Sequence, residues 1–461
     1  MELTRSGRSL GHLTYCSNIH PGESWAEVHE NLRRHVPGIR EALCPDGDFG
    51  IGLRLSGAAT RELAGSGSGD RADVSAASGQ GDMGSTEAPG LSRPSEALLA
   101  LRDFLARERC HVFTLNGFPY GRFHGTRVKE EVYLPDWQDL ERLRYTNELA
   151  DVFAAILPEG RVGSVSTVPG AFKDRVTDGA GVERMARHMI EHVVHLVRLE
   201  RATGRSIVLA LEPEPCCFLE TIDESVAFFA EHLHGPRAVA LLGERLGTDA
   251  RTAESLLRKH LTLCLDLCHA AIEFEDSEAC FDTLENAGIR IGKLQISAGL
   301  QLDDVTPDSA ERLRPFVDAT YLHQVVERHD GTLTRFVDLP DALASLGAEA
   351  RSRASATDGE APSANPDTDE ASRPNGGIGG GTREWRVHFH VPVFLDDLGD
   401  FSSTQSFIRE ALARHRRAPL SEHLEVETYT WDVLPPRYRT ESVDEAIVRE
   451  LAWVRDILLA P

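Results

Sequence analysis

Three apolar runs in this chain close on carboxylates: LALEPEP (residues 209–215), LTLCLDLCHA (261–270) and HLEVETYTW (423–431). An isolated carboxylate loses its hydration in a low-dielectric interior, so an acidic side chain at the end of an apolar run needs a partner. In an extended chain successive side chains point to opposite faces. Glu212 and Glu214 therefore share a face, as do Glu425, Glu427, Tyr429 and Trp431, with Leu211 and Val426 on the other side. The same alternation groups Lys293, Gln295 and Ser297, and sets His388 beside His390. Carboxylates that converge from three strands repel one another, and a shared cation is the simplest way to keep several ionised. Glu212, Asp266 and Glu427, completed by Gln295 or by one of His388 and His390, supply four protein ligands. Such a set suits Mn²⁺, Mg²⁺ or Co²⁺, with Zn²⁺ also open. Each acidic residue taken singly could equally be a loop cap or an ion-pair partner, and His388 and His390 a hydrogen-bonded core pair.

The elements that must position these residues follow from periodicity. Nine β-rich runs cross the chain, and most are separated by helical patterns of period 3.6, such as 24–43, 136–157 and 181–203. Repeated βα units call for a parallel sheet, and about eight of them for a closed (β/α)₈ TIM barrel, with one run left outside it. No GxGxxG follows the first run, where SNIHPGE stands, which disfavours a doubly wound nucleotide-binding sheet. A barrel gathers the C-terminal ends of its strands on one face. Asn18, His20, Asn116, Glu212, Asp266, His269, Gln295, His388, His390 and Glu427 all fall at such ends. Residues 57–95 and 347–383 are rich in Gly, Ser, Ala, Pro and Asp, and read as disordered insertions into a single domain spanning 1–461.

A formal charge of −24 and a pI near 5.2 argue against a nucleic-acid or anionic-membrane surface. No run of about 18 apolar residues occurs, and the first twenty residues lack the apolar core of a secretory signal. Eight scattered cysteines without a CxxC fit reduced thiols in the cytoplasm. Positive charge is carried almost wholly by arginine. The lysines are Lys129, Lys173, Lys259 and Lys293, and a lysine kept against that drift suits a place needing a compact ammonium.

LALEPEP, CLDLCHAAIEFE and LEVETYTW resemble the Glu, Asp-x-x-His and Glu strand ends of the xylose isomerase-like barrel superfamily. SNIHPGESW, LNGFPYGRFHGTRVKEEVYLPDW, LALEPEPCCFLET, LQIS, HFHVPVF and LEVETYTWDVLP are similar to the EboE family of bacterial metabolite-traffic proteins. The superfamily resemblance implies metal carboxylates at Glu212, Asp266 and Glu427 and a substrate-contacting histidine at His269. It also marks a departure: the next strand usually offers a histidine ligand, and here it offers Gln295, a weaker donor to soft metals, for which His390 can substitute.

The reading that follows is a metal-assisted isomerase or epimerase for a sugar or sugar phosphate. Glu212 and Glu427 flank the substrate carbon as base and acid, and His269 steers an oxygen. Asn116, Tyr120 and His124 contact substrate, while Lys129 and Lys173 bind a phosphate or carboxylate. A carrier that binds a small metabolite without turnover is the alternative, and an endonuclease IV-like phosphodiesterase is the weakest of the three. The oligomeric state cannot be read from a single chain.

Overall fold

The computed structural model describes residues 1–65, 93–125, 127–357 and 382–460. Eight strands run parallel: β2 (Arg8–Tyr15), β3 (Phe49–Arg54), β4 (Cys110–Asn116), β5 (Val162–Thr167), β6 (Ser206–Leu211), β7 (Leu261–Asp266), β8 (Ile291–Ile296) and β14 (His423–Val426). Their order is β2-β14-β8-β7-β6-β5-β4-β3, and a short strand β1 (Glu2–Arg5) adds antiparallel to β2. The ends of that order meet at a parallel bridge between Cys16 and Gly52. The Thr14 hydroxyl completes the seam, donating to the Gly50 carbonyl at 2.7 Å and accepting from the Gly52 amide at 3.1 Å. The sheet thus closes into a (β/α)₈ barrel.

The helical patterns appear where expected, as Trp25–Leu43, Leu140–Ile156 and Gly179–Thr203. Ser24 and Glu27 form a reciprocal capping box that starts the first of them. The middle helix begins later than its pattern because the Asp136 carboxylate is spent on the Gln138 amide and on Arg175. The two biased segments are narrower than their composition implies. Gly57–Ala64 is a helix capped by Ser56 that buries Ala59, Thr60 and Leu63, and Ser95 caps the helix Glu96–Arg107. Likewise the helix Leu339–Thr357 runs through the start of the second segment, and Arg383 already belongs to a strand. The remainder of both segments, 66–92 and 358–381, lies outside the described residues.

The run left over from the barrel is WRVHFHVPVF. It lies in a second, antiparallel sheet of β9 (Ala298–Leu302), β10 (Val325–His329), β11 (Thr332–Phe336), β12 (Arg383–Val391) and β13 (Ser402–Ser403), ordered β11-β10-β12-β9-β13. Only Ser297 separates β8 from β9, so this sheet springs from the C-terminal end of a barrel strand and carries β12 to the mouth.

Inside the barrel, one layer below the mouth, Lys293 and Glu425 form an ion pair with no exposed side-chain surface. Burial works against the Lys293 charge, but the Glu425 carboxylate overcomes it and raises the lysine pKa, while burial raises that of Glu425. Lys293→Met leaves a buried carboxylate unpaired and is expected to lower unfolding free energy by about 3–5 kcal/mol. Lys293→Met with Glu425→Leu is expected to recover most of that loss in denaturant melts. An undiminished loss in the double variant would refute the pairing.

Candidate metal centre

Glu212 and Glu427 follow β6 and β14 directly, and their amides continue the ladders by bonding the Thr167 and Ile296 carbonyls at 3.1 and 3.0 Å. Asp266 is the last residue of β7. Parallel register thus delivers three carboxylates to one depth of the mouth, where all are buried and their oxygens come within 4.8 Å of one another. Burial raises the Glu212 pKa well above the carboxylate range, and Glu427 and Asp266 push it further. Burial and then Asp266 raise that of Glu427 to about 8.

Amide donors occupy part of this acidic space. Asn18 and Asn116 donate to Glu427 Oε1 at 2.6 and 3.1 Å. Gln295 Nε2 donates to Glu212 Oε1 at 3.0 Å and also to Glu427 Oε2. This corrects the expectation that Gln295 ligates through its carbonyl oxygen: two carboxylates require a donor between them, so the amide nitrogen faces them and the oxygen turns to the Cys264 thiol. Glu212 Oε2, Asp266 Oδ2 and Asn18 Oδ1 have no hydrogen-bond partner among the described residues. Uncovered anionic oxygens at this depth are the donor set of a hard divalent cation.

A second group of donors adjoins the first. His269 Nδ1 meets the Pro213 carbonyl at 2.9 Å, His390 Nδ1 the Glu427 carbonyl at 3.0 Å, and His388 Nδ1 the Gln324 side-chain oxygen at 2.8 Å. The Gln324 orientation is fixed because its nitrogen faces Tyr133 Oη, Glu214 Oε1 and the Pro215 carbonyl at 2.9–3.2 Å. Each Nδ1 therefore carries a hydrogen, and each Nε2 of the neutral His388 and His390 a lone pair. His388 Nε2 lies 3.1 Å from His269 Nε2 and 3.2 Å from His390 Nε2, and Asp266, His269 and His390 offer ligand atoms within 4.8 Å of one another. Such spacings lie close to the edge, roughly 3.3 Å, of a tetrahedron with metal–nitrogen bonds of about 2.0–2.1 Å. Oxygen acceptors behind each ring are the outer-shell pattern that fixes ligating imidazoles. Asp266 Oδ2 lies 4.0 Å from His269 Nε2, while its Oδ1 is held by Ser297 Oγ and the His269 amide, so Asp266 stands between the two donor groups. Burial lowers the His388 pKa strongly and that of His390 to about 4, which keeps both neutral.

The centre floors a cleft whose walls include Phe118, Phe123, Val128, Tyr321 and Tyr429. Among residues expected at substrate, Asn116, His269 and Lys129 line it. Tyr120 instead donates to Glu141 at 2.7 Å, and His124 packs behind Phe123, their ring centroids 4.9 Å apart. Both lysines are otherwise engaged, against expectation. Lys129 Nζ binds Asp338 and two backbone carbonyls, and Lys173 pairs with Glu220 and Glu224. Asn18, Glu214, Tyr133, Gln324 and Ser297 complete the site without having been singled out as site residues. Asn18 left a trace in the sequence as a polar residue at a strand end, and Glu214 and Ser297 through their alternation with Glu212 and Gln295; Tyr133 and Gln324 left none.

No family model matches the chain and no curated protein matches it, so the likeness to EboE proteins remains one of motifs. Solved structures do match. One is a xylose isomerase-like TIM barrel protein from Mycobacterium smegmatis in complex with magnesium, at 11% identity over 98% of this chain and 97% of that one, TM-score 0.44. Another is the IOLI protein with a bound zinc atom, at 11% identity over 97% and 98%, TM-score 0.40. A D-psicose 3-epimerase in the presence of D-fructose matches at 12% identity over 62% and 79%, TM-score 0.31.

In ¹⁵N-labelled, metal-free protein at pH 6–7, ring resonances of His388 and His390 are expected to report hydrogen on Nδ1 and none on Nε2. His390 is expected to stay neutral down to about pH 5, because its folded pKa lies near 4. An Nε2–H on either ring would contradict that assignment.

Proposed function

We propose that the barrel mouth is a divalent-metal centre at which a sugar-like hydroxy-carbonyl compound undergoes proton transfer at carbon, an isomerase-type reaction. The observation that carries this reading is the convergence of Glu212, Asp266 and Glu427 with two carboxylate oxygens uncovered. Glu212, Asp266 and Glu427 would hold a hard cation, and His269, His388 and His390, with Asp266 between, one that accepts imidazole. When bound, such an ion polarises the carbonyl and hydroxyl oxygens of a substrate and acidifies the adjacent C–H.

The proton work falls to the glutamates. Burial raises both pKa values in the metal-free site, and beside a bound cation one glutamate would stand ionised as the base. In the metal-free site a single amide nitrogen, that of Gln295, touches both and would have to leave at least one of them for the two to flank a substrate carbon. The ionised carboxylate removes the proton from the hydroxyl-bearing carbon beside the carbonyl, giving an enediolate, and the hydroxyl proton passes to the former carbonyl oxygen. A carboxylic acid on the same floor returns a proton to the neighbouring carbon, so protons removed and returned balance. Asn18 and Asn116 fix the rotamer of Glu427 for this transfer, and His269 Nε2 serves as ligand or as partner for a substrate hydroxyl.

Metal-loaded protein incubated in D₂O with a panel of ketoses and aldoses is expected to form the isomeric sugar with deuterium at the transferred position. Glu212→Gln and Glu427→Gln should each slow this by about 10²–10⁴-fold, the usual worth of a positioned acid or base. Saturable binding without isomer or deuterium would replace the enzyme with a carrier.

A further inference from the structure

Resting on that reading, the geometry points to an unphosphorylated substrate: an uncharged polyhydroxy compound that carries an apolar face or substituent. Phosphate recognition needs a free ammonium, a guanidinium fork or open backbone amides. Lys129 is the one Lys or Arg among the described residues lining the cleft. An ammonium has three donors, and those of Lys129 go to the Asp338 carboxylate at 2.6 Å, the Tyr321 carbonyl at 2.7 Å and the Asp318 carbonyl at 3.2 Å. It therefore ties the loop at 118–133 to the segment at 318–338 and offers the cleft only its stem. Arg54, whose guanidinium lies 5.9 Å from the Phe123 ring, is buried and spent on Glu23 and the carbonyls of Gly22 and Gly121. Below, Glu212, Glu214 and Glu427 line the cleft. A phosphate there meets carboxylates without a partner cation from the protein.

The opposite wall is apolar. Phe123, Tyr321 and Tyr429 pack on one another with centroids 5.1–5.3 Å apart, and with Val128 and Val132 they form a cluster separate from the barrel core. Phe123 and Tyr321 are largely buried and Tyr429 half-buried, and the edges they turn to the cleft over a polar floor can cover C–H surface of a ligand and leave its hydroxyls to the other side. Asn18 Oδ1, an acceptor without a donor, awaits a hydroxyl on that floor. The cleft thus divides a ligand into a hydroxylated side at the centre and an apolar side under the rings.

Binding to manganese-loaded protein by calorimetry tests this with D-fructose, D-fructose 6-phosphate, D-glucose, D-glucose 6-phosphate and phenyl β-D-glucoside. Each free sugar is expected to bind at least tenfold more tightly than its phosphate, and the phenyl glucoside more tightly than glucose. Phe123→Ala and Tyr429→Ala should erase the phenyl gain without changing metal content. Phosphates binding as well as or better than the free sugars, or a Lys129→Met variant that loses phosphate binding selectively, would overturn the inference. Silence across the panel would overturn it too. Metal content and proton exchange are scored separately, so a metal-bearing, exchanging protein that prefers phosphates fails this inference alone, whereas a protein that takes up no metal fails the reading beneath it.

Discussion

Glu212, Asp266 and Glu427 occupy one buried space in which the neighbouring carboxylates make Glu212 and Glu427 harder to ionise, and among the described residues no lysine or arginine is paired with them. Lys293 sits a layer lower and is taken by Glu425. The side chains that donate hydrogen bonds to the three acids are neutral: the amides of Asn18, Asn116 and Gln295 and the hydroxyl of Ser297. Neutral donors can orient carboxylates but cannot compensate their charge. The arrangement therefore makes energetic sense as a cradle for a positive ion, with two oxygens left uncovered to receive it.

Much of the surrounding architecture serves this constraint. Registers pairing Asp266 with Gln295 and Glu425 with Gln295 bring the strand ends level. The second sheet adds what the barrel strands do not carry. β12 crosses the mouth and sets His388 and His390 opposite His269, which stands in the short helix that opens after Asp266. Behind His388 stand Gln324, Tyr133 and Glu214, a fully bonded network that holds one ring in one tautomer. A half-bonded network at such depth would be costly, and this one is closed.

The acidic part of the site was legible because a two-residue period places side chains on faces wherever a strand forms. Glu212 with Glu214, and Glu425 with Glu427, obeyed it. The barrel was legible from repeated βα units. The role of WRVHFHVPVF was not, since a strand beside the barrel and a strand within it carry the same alternation. The three-histidine group depends on that placement and on Gln324, which lies in an irregular segment with no local signal. Lys129 misled for a related reason. Its partner Asp338 is 209 residues away in sequence, and only the folded chain shows the ammonium already satisfied. The helical edges of the biased segments were masked by composition, because Gly57–Ala64 is built of small residues that pack well against the barrel.

Diffraction from crystals equilibrated with Mn²⁺, recorded near the manganese absorption edge, addresses the electrostatic claim most directly. An anomalous peak within bonding distance of oxygens from Glu212, Asp266 and Glu427 is the predicted result, with the Gln295 amide displaced from at least one of them. A map without a peak in that space, with Gln295 still bridging Glu212 and Glu427, would contradict it.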